Sequence, residues 1–92
     1  MQVYKRGDKQ TCCNKMQAVL RNYGFRKLHA ITYLSSSDKG DYVHFSGDVD
    51  ELGKIGVFLL EHSAKLKMQP NERIKIYEDD PTWGVLGVLI KQ

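Results

Sequence analysis

Between Asp48 and Lys67 the apolar residues Leu52, Ile55, Leu59 and Leu66 fall on one stripe of a 3.6-residue period, at three, seven and fourteen residues from the first. Lys54, Glu61 and Lys65 fall on the other side. Asp48 followed three residues later by Glu51 has the spacing of a capping box, which satisfies the unpaired backbone donors at a helix start. The pattern predicts a helix over residues 48–67, laid across an antiparallel sheet. Gly53 and Gly56 oppose it, each by about 1 kcal/mol relative to Ala. They mark either close approach to the sheet or a strand over Lys54 to Leu60 in place of the helix.

Upstream, Cys12 or Cys13, Met16, Val19, Leu20 and Tyr23 repeat with helical spacing and predict a first helix over Thr11 to Tyr23, capped by Asp8 or Thr11. Gly24 suits a left-handed stop, with Phe25 folding back on the helix end as in a Schellman motif. Residues 1–8 read as an arm, of which Met1 to Tyr4 suits a short strand equally well. Arg26 to Leu34 is rich in strand formers, Ser35 to Asp41 forms a polar hairpin loop, and Tyr42 to Ser46 returns. In the returning strand Tyr42, His44 and Ser46 share one face, and Val43 and Phe45 the other. Gly47 leads into the central helix. Met68 to Asn71 reads as a connection. Arg73 to Glu78 then alternates, with Ile74 and Ile76 inward, and Asp79 to Thr82 turns the chain. Trp83 to Ile90 is apolar on both faces and belongs in the middle of the sheet. Gly84 and Gly87 within it suggest bulges or close packing. The expected architecture is α+β, in the order αββαββ. Two hairpins join into a four-stranded antiparallel sheet, and both helices pack on one face.

Ninety-two residues make one domain. The net charge of +3 is spread unevenly: residues 1–27 carry a local balance of +6, and residues 28–64 one of −4. A basic first third attracts phosphate, or lies against the acidic middle of the same chain or of a second copy in a homodimer. Adjacent Cys12 and Cys13 have poor geometry for a mutual disulfide and read as thiols of a reducing compartment. That compartment is the cytoplasm, or the host cytosol for a virus-encoded chain. No leader with basic and apolar regions opens the sequence, and the longest clean apolar run, Val57 to Leu60, is far too short to cross a bilayer. No membrane partner is expected.

Candidate chemistry is sparse. His29, His44 and His62 lie on three separate elements, and the cysteines lack zinc-site spacing, so no metal is expected. The glycines match no phosphate-binding loop, and no cofactor is implied. Asp48-Asp50-Glu51 and Glu78-Asp79-Asp80 are accounted for by a helix start and a turn. If His29 and His44 share a face of the first hairpin, near Lys27, Tyr33 or Tyr42, two imidazoles stand ready for acid–base work on RNA. The run Val19-Leu20-Arg21-Asn22-Tyr23-Gly24-Phe25, followed by a strand with a histidine, resembles HicA-type messenger-RNA interferase toxins over about the first half of the chain. Those proteins also have a helix ending in Gly-Phe before a strand carrying the histidine. The Gly-Ser-His run that marks that family is absent. The resemblance implies a small RNase using His29.

The alternative is a non-catalytic binding or regulatory module that docks on a macromolecule, either nucleic acid or a protein that handles it, as an inhibitor or accessory factor of a virus or mobile element. Lys5, Arg6, Arg26 and Lys27 are the candidate phosphate contacts. Tyr33 and Tyr42 are the candidate stacking faces. Of the two readings, the binding module accounts for more of the sequence.

Overall fold

The computed structural model describes residues 6–91, with side chains from Lys9 onward. Its elements are α1 (Arg6–Asn22), β1 (Leu28–Ser37), β2 (Gly40–Asp48), α2 (Val49–Glu61), α3 (Ser63–Leu66), β3 (Met68–Pro70), β4 (Lys75–Ile76) and β5 (Trp83–Lys91). The sheet is antiparallel and runs β1-β2-β5-β3, with β4 also paired to β5. The two predicted hairpins thus join through β2 and β5, and β5 is central as expected. The predicted four strands become five because the outer edge of β5 is shared. β3 pairs with Val88 to Ile90, and β4 with Gly84 and Val85.

The core lies between one sheet face and the helices. Ile31, Val43, Phe45 and Val88 from the sheet meet Leu20 from α1 and Leu52, Ile55 and Leu59 from α2, all buried. The face assignment of β2 holds: Val43 and Phe45 are buried, while Tyr42, His44 and Ser46 are half-buried on the opposite side. The strand alternative for Lys54 to Leu60 does not, since this segment lies inside α2. Asp48 caps α2, its Oδ2 accepting from the Glu51 N–H at 3.2 Å. The Asp48 N–H goes to the Lys27 carbonyl at 3.3 Å. The helix over residues 48–67 is broken at His62. There the Phe58 carbonyl accepts from the His62 N–H, and the His62 ring Nδ1 lies 2.9 Å from the same oxygen. A short α3 follows and ends at Lys67 in a left-handed conformation.

The first helix starts at Arg6, so the arm does not extend to residue 8, and Asp8 and Thr11 lie within the helix rather than at its cap. Met1 to Tyr4 lies outside the described residues. The Schellman end is as expected: the Phe25 N–H donates to the Leu20 carbonyl and the Gly24 N–H to that of Arg21, with Gly24 at φ +109°. Only part of the predicted apolar stripe meets the core. Cys13 and Leu20 are buried and Met16 half-buried, whereas Val19 and Tyr23 face outward.

A second, polar stripe on α1 lies along β1, which is an edge strand. Gln10 Nε2 donates to the Ile31 carbonyl at 2.9 Å, and its Oε1 accepts from the Tyr33 N–H at 3.0 Å. Gln17 donates to the His29 carbonyl. Arg21 Nε and Nη2 donate to the Leu28 carbonyl at 3.2 and 3.0 Å. An exposed edge invites pairing with other chains, and here the helix side chains take its hydrogen-bonding groups instead.

The predicted seven-residue loop of the first hairpin is a two-residue turn, Asp38-Lys39, because Ser35, Ser36 and Ser37 pair with Tyr42, Asp41 and Gly40. Gly47 is a strand residue, not a linker. Met68 to Pro70 is a strand, not a connection. The predicted strand over Arg73 to Glu78 shrinks to Lys75–Ile76. The Asn71 and Glu72 N–H groups both turn onto the Gly87 carbonyl, at 2.8 and 3.3 Å, which carries the chain across β5. Ile74 is half-buried, but Ile76 faces solvent with 55% of its surface exposed.

Candidate nucleic-acid interface

Three chain segments meet at the end of the sheet where β1 begins. The first is the turn Arg26-Lys27, which the Schellman stop of α1 delivers to the sheet. Its approach is unusually close: a Cβ on Gly47 would lie 2.5 Å from the Lys27 carbonyl oxygen, so only glycine admits this contact. The second is the start of β1, where the register shifts between Leu28, opposite Gly47, and Ala30, opposite Ser46. His29 is the extra residue of this bulge, and bulges re-aim side chains. The third is the start of β5, where Trp83 pairs with Asp48.

His29 leaves the sheet at the bulge and sets its ring edge-on to Trp83, with centroids 5.2 Å apart and planes at 65°. Around this pair Arg21, Arg26, Lys27, Asp48 and Thr82 line an open cleft of about 340 Å³. Arg26, Lys27 and His29 are exposed, and Trp83 is half-buried. Arg21 is held by its bonds to the Leu28 and His29 carbonyls, which fixes its cation at the cleft wall. Asp48, the one carboxylate lining the cleft, is engaged as the cap of α2. The cleft therefore offers cations for phosphate and an aromatic pair for a base. Thr82 closes the rim, its N–H and hydroxyl both bonded to Asp80 Oδ1 in the expected tight turn.

Of the predicted contacts, Arg26 and Lys27 stand together here. Lys5 lies outside the described residues. Arg6 is the first residue of α1, and its side chain is also outside them. Tyr33 and Tyr42 do not share a stacking surface. Tyr33 is on the helix-covered side, its hydroxyl 2.8 Å from Ser36 Oγ and its ring 5.8 Å from Lys9 Nζ. Tyr42 is on the opposite face, its hydroxyl over Gly87 beside the Glu72 carboxylate. Desolvation, followed by the hydrogen bond to Glu72, pushes the Tyr42 phenol up to about 12. The register also places Tyr42 five residues along β2 from Gly47, roughly 17 Å from the cleft at strand rise.

His29 and His44 are likewise apart. His44 pairs with Thr32, three residues beyond His29, a separation of roughly 10 Å along the strand. Its ring packs on Tyr42, with centroids 5.5 Å apart, rather than on His29. The expected pair of neighbouring imidazoles is not formed. No group of three or more His, Cys, Asp or Glu among the described residues could hold a metal ion.

Among the described residues the basic first third and the acidic middle meet at one ion pair, Lys9 Nζ to Asp41 Oδ1 at 2.8 Å. Burial alone would raise the Asp41 carboxyl, but hydrogen bonds from Lys9 and Ser36 and the Lys9 charge hold it below its ordinary value. Two cleft residues were not legible as such. Arg21 counts in the sequence only toward the charge of the basic first third, and its place at the cleft comes from the bonds by which α1 holds the start of β1. Trp83 is expected on a central strand, but its place beside the Lys27 turn depends on the β2–β5 register, with Trp83 opposite Asp48, which no local pattern sets. Comparison with protein families, curated proteins and solved structures finds no match for this chain.

Proposed function

We propose that the protein is a non-catalytic binding module whose partner is single-stranded nucleic acid, held in the cleft at the end of the sheet. The reading rests on the convergence of Arg21, Arg26 and Lys27 around the edge-on His29–Trp83 pair. The cations neutralise backbone phosphates, and the aromatic pair gives a base a surface to stack on whatever its identity. The cleft carries no array of base-edge readers, so binding is tolerant of sequence. A module of this kind acts by occupying or presenting a strand, as an accessory factor or inhibitor does.

Trp83 is the only tryptophan, so its fluorescence reports the cleft directly. Titration with a short oligonucleotide at low salt should quench it saturably, and Arg26→Glu with Lys27→Glu should move that titration to higher oligonucleotide concentration while leaving the circular dichroism unchanged. Unchanged Trp83 emission with oligonucleotides of both DNA and RNA at low salt would overturn the reading.

A further inference from the structure

Strand parity places the His29–Trp83 pair on the face of the sheet that the helices leave open. Val43 and Phe45 on β2, opposite Val88 and Leu86 on β5, are buried under the helices. Side chains alternate along a strand. Tyr42, His44 and Ser46 on β2 and Trp83, Val85 and Leu89 on β5 therefore share the other face, which has no covering layer among the described residues. At the end of this face away from the cleft stands a second ring pair, Tyr42 with His44, with centroids 5.5 Å apart and planes at 75°. Tyr42 pairs with Leu89, yet its hydroxyl lies over Gly87, where an added Cβ would stand 2.7 Å from it. The phenol ring thus lies along the sheet, its hydroxyl bonded to Glu72, and turns one ring face outward. Between the two pairs the floor is low. Ala30, Ser46 and Val85 stand in one row there, with the Ser46 hydroxyl bonded to the Ala30 carbonyl at 3.3 Å.

We infer that the single strand held in the cleft continues across this open face and stacks a second base on the Tyr42–His44 pair. The inference rests on the proposed function and extends it, because it fixes the path and the length of strand the module takes. Trp83 lies opposite Asp48 and Tyr42 opposite Leu89, six residues along β2, a span of roughly 20 Å at strand rise. A strand that bridges it needs about four nucleotides or more, the lower end of what single-strand-binding domains cover. The two ends recognise different parts of the strand. Arg21, Arg26 and Lys27 gather phosphate at the cleft. At the far end the nearest charge is the Glu72 carboxylate, which accepts from Tyr42 and repels phosphate. The second pair therefore takes a base alone, and it adds affinity without adding to the salt dependence. Rings on the open face of an antiparallel sheet are suited to this, since every base has a face to stack.

Trp83 fluorescence at low salt, titrated with oligothymidylates of about two to eight nucleotides, separates the two parts of the site. Affinity should rise steeply until the strand reaches the second pair, at about four to six nucleotides, and level off beyond it. Tyr42→Leu fills the space over Gly87 without a ring. It should lower the affinity for the longest strand roughly tenfold, the effect of losing one stacked base. The quench at saturation and the salt slope should stay as in the parent, whereas Arg26→Glu with Lys27→Glu should flatten the slope. His44→Leu serves as a second variant, with circular dichroism confirming the fold of each. Photo-crosslinking of the unsubstituted protein to strands carrying iodouracil needs no variant. The label should fall on Tyr42 or His44 with the longest strand and on neither with the shortest. Saturable quenching with an affinity that neither Tyr42→Leu nor His44→Leu changes would overturn the inference and leave the cleft reading standing. Crosslinks from the longest strand that miss both residues would do the same. Absence of quenching at every length would overturn both.

Discussion

Gly53 and Gly47 show how little a glycine says until its surroundings are known. Gly53 is inside α2, and a Cβ there would meet nothing within 4 Å. Its weak helix propensity is uncompensated, so Gly53→Ala should stabilise the protein by about 0.5–1 kcal/mol in urea unfolding. At Gly47 the added carbon would stand 2.5 Å from a backbone carbonyl that has no room to retreat. Gly47→Ala should therefore cost roughly 1–3 kcal/mol and open the Lys27 turn. Cys12 and Cys13 divide in the same way. Cys13 is buried, and desolvation, with the charges of Cys12 and Asp41 added, raises its thiol above the ordinary value. A thiolate reagent should modify Cys12 readily in the native protein and Cys13 only on unfolding, giving one modified thiol by mass spectrometry before denaturant and two after it. Tyr42 supplies a pH dependence. Its phenol is raised to about 12 from an ordinary value near 10, so the folded state favours the neutral form. Stability from this group is complete below about pH 10 and lost as pH rises towards 12. Tyr42→Phe should remove the late-ionising component of the alkaline absorbance titration.

At the scale of elements, the sequence was readable wherever one short-range device decided the outcome. The Gly24-Phe25 stop, the Asp48 cap, the 52-55-59 stripe and the β2 alternation are all local, and all appear as expected. The failures share a different cause. Ser35 to Ser37 looked like a loop by composition, but pairing with Gly40 to Tyr42 held them in strand. Ile74 and Ile76 alternated as for a longer strand, but Asn71 and Glu72 turn onto the Gly87 carbonyl and only Lys75 and Ile76 go on to pair with β5. Val19 and Tyr23 kept helical spacing yet missed the core, because α1 turns a second stripe toward β1. That stripe replaces a neighbouring strand, and its energetic content is testable. Gln10→Ala leaves the Ile31 carbonyl and the Tyr33 N–H to water. It should cost about 1–2 kcal/mol, with faster amide exchange at Tyr33 in particular. An unchanged exchange rate there would mean the edge is protected without the helix.

For the whole molecule, the decisive quantity is where charge sits relative to the fold rather than its sum. A net charge of +3 on this chain is too small to govern association by itself. Lys9 is paired with Asp41 at the far end of β2, and Lys75 lies 3.8 Å from the Glu72 carboxylate. Arg26 and Lys27 instead stand exposed on a turn whose backbone is fixed by Gly47 and Asp48. Each phosphate they neutralise releases a counterion, so binding of a single strand should fall with salt by about 0.7 log units per log unit for each contact. Reversing both charges should weaken binding alike for unrelated sequences and flatten that slope by roughly the contribution of two contacts. It should leave stability within about 0.5 kcal/mol of the parent, because exposed charges contribute little to folding. Arg21→Ala makes the contrast. It removes a wall cation and also frees the Leu28 and His29 carbonyls, so it should weaken binding and lower the melting temperature together. Were Arg26 and Lys27 to behave like Arg21, with stability lost in step with affinity, their charges would be serving the fold rather than a phosphate chain.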